Sequence, residues 1–125
     1  MTSDQIHITG LHVQCIIGIN DWEREVKQEV VIDITLHADL SRAGESDDIA
    51  DTVNYRDVSK AVQEHVEASS YGLIEAMAQS IANICLEPES VIRADVSVQK
   101  PGALRGVDSV GVEISRETTP GFSTG

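Results

Sequence analysis

Residues 32 to 40, IDITLHADL, set Ile32, Ile34, Leu36, Ala38 and Leu40 on one side of an extended chain and Asp33, Thr35, His37 and Asp39 on the other. So regular a period of two predicts a β-strand with one face in a core and the other against water. A strand of that kind is not stable alone. It requires partner strands, and the apolar face of the resulting sheet requires a cover.

The remaining sequence supplies both. Ile6 and Ile8, then Leu11, Val13 and Cys15, form two alternating series whose phase inverts across Gly10, as a glycine at a β-bulge would produce. This strand ends near Gly18. Two further alternations, Ile92 to Lys100 and Ser109 to Ser115, predict two more strands. Between the strand pairs the period changes. Asn54 is placed to cap a helix in which Tyr55, Val58, Ala61, Val62 and Val66 recur at three-four spacing, and Leu73, Ile74, Met77, Ala78, Ile81, Ala82 and Cys85 repeat that spacing until Pro88. These predict helices over 55–68 and 73–86.

The order is ββααββ, an α+β fold: an antiparallel four-stranded sheet with two helices on one face. Its open edges invite pairing with further copies of the chain. INDWEREVKQ, which carries the only tryptophan, is a polar connection too long for a tight turn and a candidate functional loop. SRAGESDDIADTVNY lacks sustained periodicity and reads as an acidic, irregular loop. Residues 1–117 form a single domain and 118–125 a disordered tail.

Composition narrows the partners. Nine Lys and Arg against 21 Asp and Glu give a formal charge of -12, a poor match to nucleic acid or an anionic membrane surface. No apolar run reaches the length of a membrane span and no secretory leader is visible, so a soluble cytoplasmic protein is expected. Cys15 and Cys85 fit no redox or zinc spacing and read as reduced, packed thiols. His7, His12, His37 and His65 are scattered, with no cluster of metal ligands around them.

One residue breaks the pattern. In the strand that ends VQKPG, the period of two puts Lys100 on the apolar side, with Ile92, Ala94, Val96 and Val98. Either it snorkels out at the strand end, or it is held there for its chemistry. In the second case partial desolvation disfavours the ammonium and favours proton transfer near neutral pH.

Four segments in order, IGINDWERE, SDDIADTVNYRDV, LIEAMAQSIA and KPGAL with VGVEI, resemble the dihydroneopterin aldolase family over roughly residues 5 to 117. The resemblance implies the tunnelling fold, in which subunit sheets join into a barrel and active sites lie between subunits, commonly in an octamer of two stacked tetrameric rings. It implies a pterin substrate, 7,8-dihydroneopterin, cleaved to 6-hydroxymethyl-7,8-dihydropterin and glycolaldehyde, with no metal, cofactor or Schiff base. Lys100 matches the family's catalytic lysine. Tyr55 matches a tyrosine that works with it from the adjacent subunit, Glu23 the acidic residue near the lysine, and Glu75 the carboxylate that recognises the pterin.

Ile74 and Val53 match substrate-binding positions. Each assignment has a plainer alternative: Tyr55 as a packed aromatic at a helix start, Glu75 as a first-turn acid favoured by the helix dipole, and Glu23 as one solvated charge among Asp21 and Glu25. ALRGVDSV also resembles dihydroneopterin triphosphate 2'-epimerase, where Arg105 would meet a triphosphate, and a non-catalytic pterin-binding or ring-scaffold protein is a third possibility.

Overall fold

The computed structural model describes residues 4–118. Strands β1 (Asp4–Ile17), β2 (Gln28–Ala38), β4 (Arg93–Pro101) and β5 (Ser109–Glu117) pair antiparallel, and a two-residue strand β3 (Ser70–Tyr71) pairs parallel with the end of β1. The sheet order is β3-β1-β2-β4-β5. Two helices, α2 (Tyr55–Glu67) and α3 (Ile74–Cys85), cover one face. This is the α+β arrangement expected from the alternating and three-four patterns.

Register explains how the apolar face is built. Ile8, Ile34, Val96 and Ile114 lie opposite one another across four strands, and Leu11, Ile32, Val98 and Val112 form the next row. Onto these rows pack Val58, Val62 and Val66 of α2 and Met77, Ala78, Ile81, Ala82 and Cys85 of α3. The two rows stay in phase because the register shifts between Ile8 and Leu11, where Gly10 takes φ +75 and its N–H donates to Asp33 Oδ1 at 2.7 Å. Without that bulge, Leu11, Val13 and Cys15 would face water. Both thiols are free and buried, and burial pushes the Cys85 thiol up to about 12, which leaves it unreactive.

The opposite face is polar. His37 Nε2 lies 2.7 Å from Asp95 Oδ2, while Asp95 Oδ1 accepts from Arg93 Nε at 2.9 Å and Ser115 Oγ at 2.6 Å. Burial alone would raise the Asp95 carboxyl, but the hydrogen bonds from Ser115, His37 and Arg93 outweigh it and hold the group down at about 2. The net effect binds β2, β4 and β5 together on the uncovered side.

Three features depart from the sequence reading. Within the stretch expected to be an irregular loop, Ser41–Ser46 forms helix α1 and Ile49–Asp51 a 3-10 turn. Neither buries a residue, so neither leaves the apolar periodicity by which helices are recognised; Asp39 starts α1 instead, accepting from Ser41 N–H and Oγ. Strand β3 is too short to show alternation. The expected disordered tail, 118–125, lies outside the described residues except for Thr118, which donates to the carbonyls of Ile92 at 3.0 Å and Val91 at 2.8 Å. Among the described residues no helix is long and apolar enough to cross a membrane.

The packing predicts a sharp contrast between two isoleucines. Ile81 is fully buried against the sheet, whereas Ile49 is largely exposed. Ile81→Ala should cost about 2–5 kcal/mol in denaturant unfolding; Ile49→Ala should stay within about 0.5 kcal/mol of the parent.

Candidate active site

β1 runs out at Ile17, and the next residue, Gly18, takes φ +127. A side chain could not stand there: a Cβ would fall onto the Glu23 carboxyl group. The chain then reaches Asn20 and winds into a 3-10 turn over Asp21–Arg24, which directs Glu23 inward beneath Gly18. Glu23 is only 5% exposed, and its carboxylate is saturated with donors. Oε1 accepts from the Asn20 backbone N–H at 3.2 Å and the Asn20 side-chain amide at 2.9 Å; Oε2 accepts from Gln28 Nε2 at 3.2 Å and Lys100 Nζ at 2.5 Å.

Lys100 therefore does sit on the apolar face, opposite Val110 in register, with its side chain 15% exposed. It does not snorkel. A buried carboxylate compensates its charge, which is the condition under which a lysine can occupy such a position. The Lys100 hydrogen bond holds the Glu23 carboxyl down at about 2, helped by Gln28 and Asn20 and opposed by burial.

Lys100 also lines a cavity of about 230 Å³ with Ile17, Leu73, Ile74, Glu75 and Leu104. The walls are mostly apolar, with one ammonium and one carboxylate. Glu75 lies in the first turn of α3 and, among the described residues, accepts no hydrogen bond, so both of its oxygens are available to a ligand with two adjacent donors.

The structure thus gathers Lys100, Glu23, Glu75 and Ile74 into one site. It does not bring Tyr55 or Val53 to it. Tyr55 opens α2 and is 57% exposed, lining a different depression, and Val53 is 2% exposed within the core. Tyr55 is not the packed core aromatic that its place at a helix start allowed.

Several positioning residues escaped the sequence reading. Arg24 Nη1 donates to the carbonyls of Gly18 at 2.7 Å and Tyr71 at 3.2 Å, and Nη2 to that of Ser70 at 2.6 Å. Gln28 Nε2 also donates to Ile17 O at 2.9 Å, and Gly18 N–H to Tyr71 O at 3.1 Å. One guanidinium therefore ties the loop bearing Glu23 to the segment leading into Leu73, Ile74 and Glu75. The Asn-x-x-Glu spacing of residues 20–23 was a legible sign of a capped turn; nothing local marked Arg24.

Two measurements check this geometry. The Glu23 carboxyl lies at about 2 against an ordinary 4.5, so the folded state binds fewer protons than the unfolded chain. Its contribution to stability is complete above about pH 4.5 and is lost as pH falls through that value towards 2. Glu23→Gln should remove this part of the acid dependence in a pH series of denaturant unfolding. Gly18→Ala should displace the carboxylate from Lys100, visible as a raised Glu23 pKa by NMR titration.

Comparison with known proteins gives the family. A family model described as FolB, dihydroneopterin aldolase, matches residues 6–115. The dihydroneopterin triphosphate 2'-epimerase of Escherichia coli (strain K12) is 37% identical over 110 residues, 88% of this chain and 92% of the relative. The folic acid synthesis protein FOL1 of Dictyostelium discoideum is 41% identical over 113 residues, 90% of this chain, although the chain spans only 17% of that longer protein. The crystal structure of Escherichia coli dihydroneopterin aldolase in complex with neopterin superposes with a TM-score of 0.87 at 35% identity, covering 90% of this chain and 98% of that one. With its sheet, its helices and the residues 6–115 all accounted for, the chain belongs to the dihydroneopterin aldolase family.

Proposed function

We propose that the chain cleaves 7,8-dihydroneopterin by a retro-aldol reaction to 6-hydroxymethyl-7,8-dihydropterin and glycolaldehyde, and epimerises the same substrate at C2' as a side reaction. The observation that carries this reading is the meeting of Glu75 and Lys100 in one mostly apolar cavity, with the lysine anchored on Glu23. A flat heterocycle fits between apolar walls, and the N3–H and 2-amino group of a pterin present two parallel donors to the Glu75 carboxylate. That orientation directs the C6 side chain towards Lys100.

The chemistry needs proton movement. Removing the proton from the C2' hydroxyl lets that carbon become the aldehyde of glycolaldehyde as the C1'–C2' bond breaks. The bonding pair passes into the conjugated N5=C6 imine, with a proton arriving at N5, and leaves an enol at C1'. Protonation at C1' and loss of the N5 proton then give the product. The substrate is its own electron sink, so no step requires the lysine to form an imine. Lys100, held in place by the ionised Glu23 carboxylate, is the group that exchanges protons with the substrate side chain. Re-addition of glycolaldehyde to the enol from the opposite side inverts C2', which accounts for epimerisation from the same intermediate.

Tyr55 joins the site from a neighbouring subunit. Its exposure and its absence from the lining of the Lys100 cavity fit that role, as do the free edge of β5 and the edge of β1 left unpaired before Ile16. Closure of four sheets through these edges gives a ring, and two rings give an octamer. With the Val53 side chain committed to the core, its contact with substrate falls to the backbone.

Product analysis after incubation with dihydroneopterin should show glycolaldehyde and the hydroxymethyl pterin in equal amounts. Lys100→Ala should lower kcat by about 10²- to 10⁴-fold with little change in pterin affinity, whereas Glu75→Ala should weaken pterin binding by about 2–4 kcal/mol. Undiminished turnover in Lys100→Ala, or unchanged affinity in Glu75→Ala, would remove the corresponding role. Chains carrying Tyr55→Phe mixed with chains carrying Lys100→Ala should regain activity at the interfaces that hold both intact residues; no recovery in proven mixed rings would place both groups in one chain's site.

A further inference from the structure

Glu23 and Glu75, the two carboxylates of the site, are held in opposite ways. Glu23 accepts from Asn20, Gln28 and Lys100, whereas Glu75 has no hydrogen-bond partner among the described residues, so its position rests entirely on the backbone that carries it. That backbone starts without a cap. α3 begins behind Leu73, whose side chain offers no oxygen to the free N–H groups of the first turn, and an uncapped first turn frays. Glu75 lies in that turn.

His65 supplies a restraint from outside the helix. It lies in the last turn of α2, where a histidine ordinarily serves its own helix's terminal carbonyls, yet its ring is turned to two other elements. Nε2 stands 2.9 Å from the Tyr71 hydroxyl in β3 and 3.2 Å from Ser80 Oγ in α3. Ser80 Oγ donates its own hydrogen to Met77 O at 2.7 Å, so it meets Nε2 as an acceptor, and Nε2 carries the hydrogen that the two oxygens share. The imidazole and phenol rings also pack, tilted, with centroids 5.9 Å apart. Leu73, Ile74 and Glu75, which wall the Lys100 cavity, lie between the two residues so joined. Tyr71 is fastened on its other side as well, since its carbonyl accepts from Gly18 N–H and Arg24 Nη1.

We propose that His65 is a positioning residue for pterin recognition: by clasping Tyr71 to Ser80 it fixes the stretch between them, and through that stretch the Glu75 carboxylate. The role rests on the preceding reading that Glu75 receives the pterin. It is indirect, because the imidazole does not line the Lys100 cavity. A carboxylate that must meet two ring donors at once loses affinity when its helix turn wanders, and the clasp removes that freedom before the ligand arrives.

Two measurements on the assembled protein separate the clasp from the recognition it serves. Amide hydrogen exchange needs no ligand: Gly18 N–H, bonded to Tyr71 O, and Met77 N–H, bonded to Leu73 O, should exchange about 10-fold faster in His65→Leu. In His65→Gln, whose amide restores a donor, both should return towards the parental rate. Unchanged exchange in His65→Leu overturns the proposal. Neopterin, titrated calorimetrically, should bind His65→Leu about 10-fold more weakly than the parent and His65→Gln within about threefold of it. Because the effect passes through Glu75, His65→Leu should add nothing to the loss already caused by Glu75→Ala. Tyr71→Phe, a smaller change that removes the hydroxyl alone, should move both readouts in the same direction as His65→Leu. A merely structural histidine would lower unfolding stability and leave neopterin affinity at its parental value; that result, or a loss fully additive with Glu75→Ala, overturns the positioning role. If Glu75→Ala itself binds neopterin as tightly as the parent, the recognition reading fails, and the route through Glu75 fails with it.

Discussion

A lysine and a glutamate share one hydrogen bond at the edge of an apolar core, and much of the local architecture follows from keeping them there. Separating either from the other would leave an uncompensated charge out of water, a far larger penalty than the pair as a whole imposes. Lys100 gets its position from register: β4 must present Ala94, Val96 and Val98 to the helices, and the next residue of that phase is Lys100. Glu23 has no such guarantee. Its place depends on a 3-10 turn, a glycine with no Cβ above the carboxylate, and donors from Asn20 and Gln28.

The same turn connects the chemistry to recognition. Arg24, next to Glu23, fixes the carbonyls of Ser70 and Tyr71, and two residues beyond Tyr71 begins the Leu73–Glu75 wall of the cavity. Arg24 thus ties the turn that carries Glu23 to the backbone segment that leads to Glu75. A ligand seated on Glu75, as proposed, would meet Lys100 across backbone held at several points, the pre-organisation that catalysis by positioned groups requires.

What could be read from the sequence was whatever the core dictated. Ile32, Ile34 and Leu36 announce β2, the spacing of Val58, Val62 and Val66 announces α2, and the inversion of phase at Gly10 announces the bulge, because each pattern reflects burial. The position of Lys100 was legible for the same reason. Helix α1 and strand β3 were not, since one buries nothing and the other is two residues long. The Arg24 clamp joins residues some 46 positions apart through backbone carbonyls, which no side-chain pattern encodes. Glu75 offered only the ordinary sign of a first-turn acid, and it gains meaning from the cavity it borders. Tyr55 is the residue a single chain explains least: it is exposed on its own helix and lines a hollow that shares no residue with the Lys100 cavity.

In the proposed reaction Lys100 is a proton donor and acceptor oriented by Glu23, never a nucleophile. The direct test is reductive trapping: cyanoborohydride added during turnover of dihydroneopterin, followed by mass spectrometry of the Lys100 peptide. A proton-transfer lysine leaves that peptide at its unmodified mass while product accumulates at the normal rate. A pterin-bearing adduct on Lys100, formed in step with loss of activity, would contradict the mechanism.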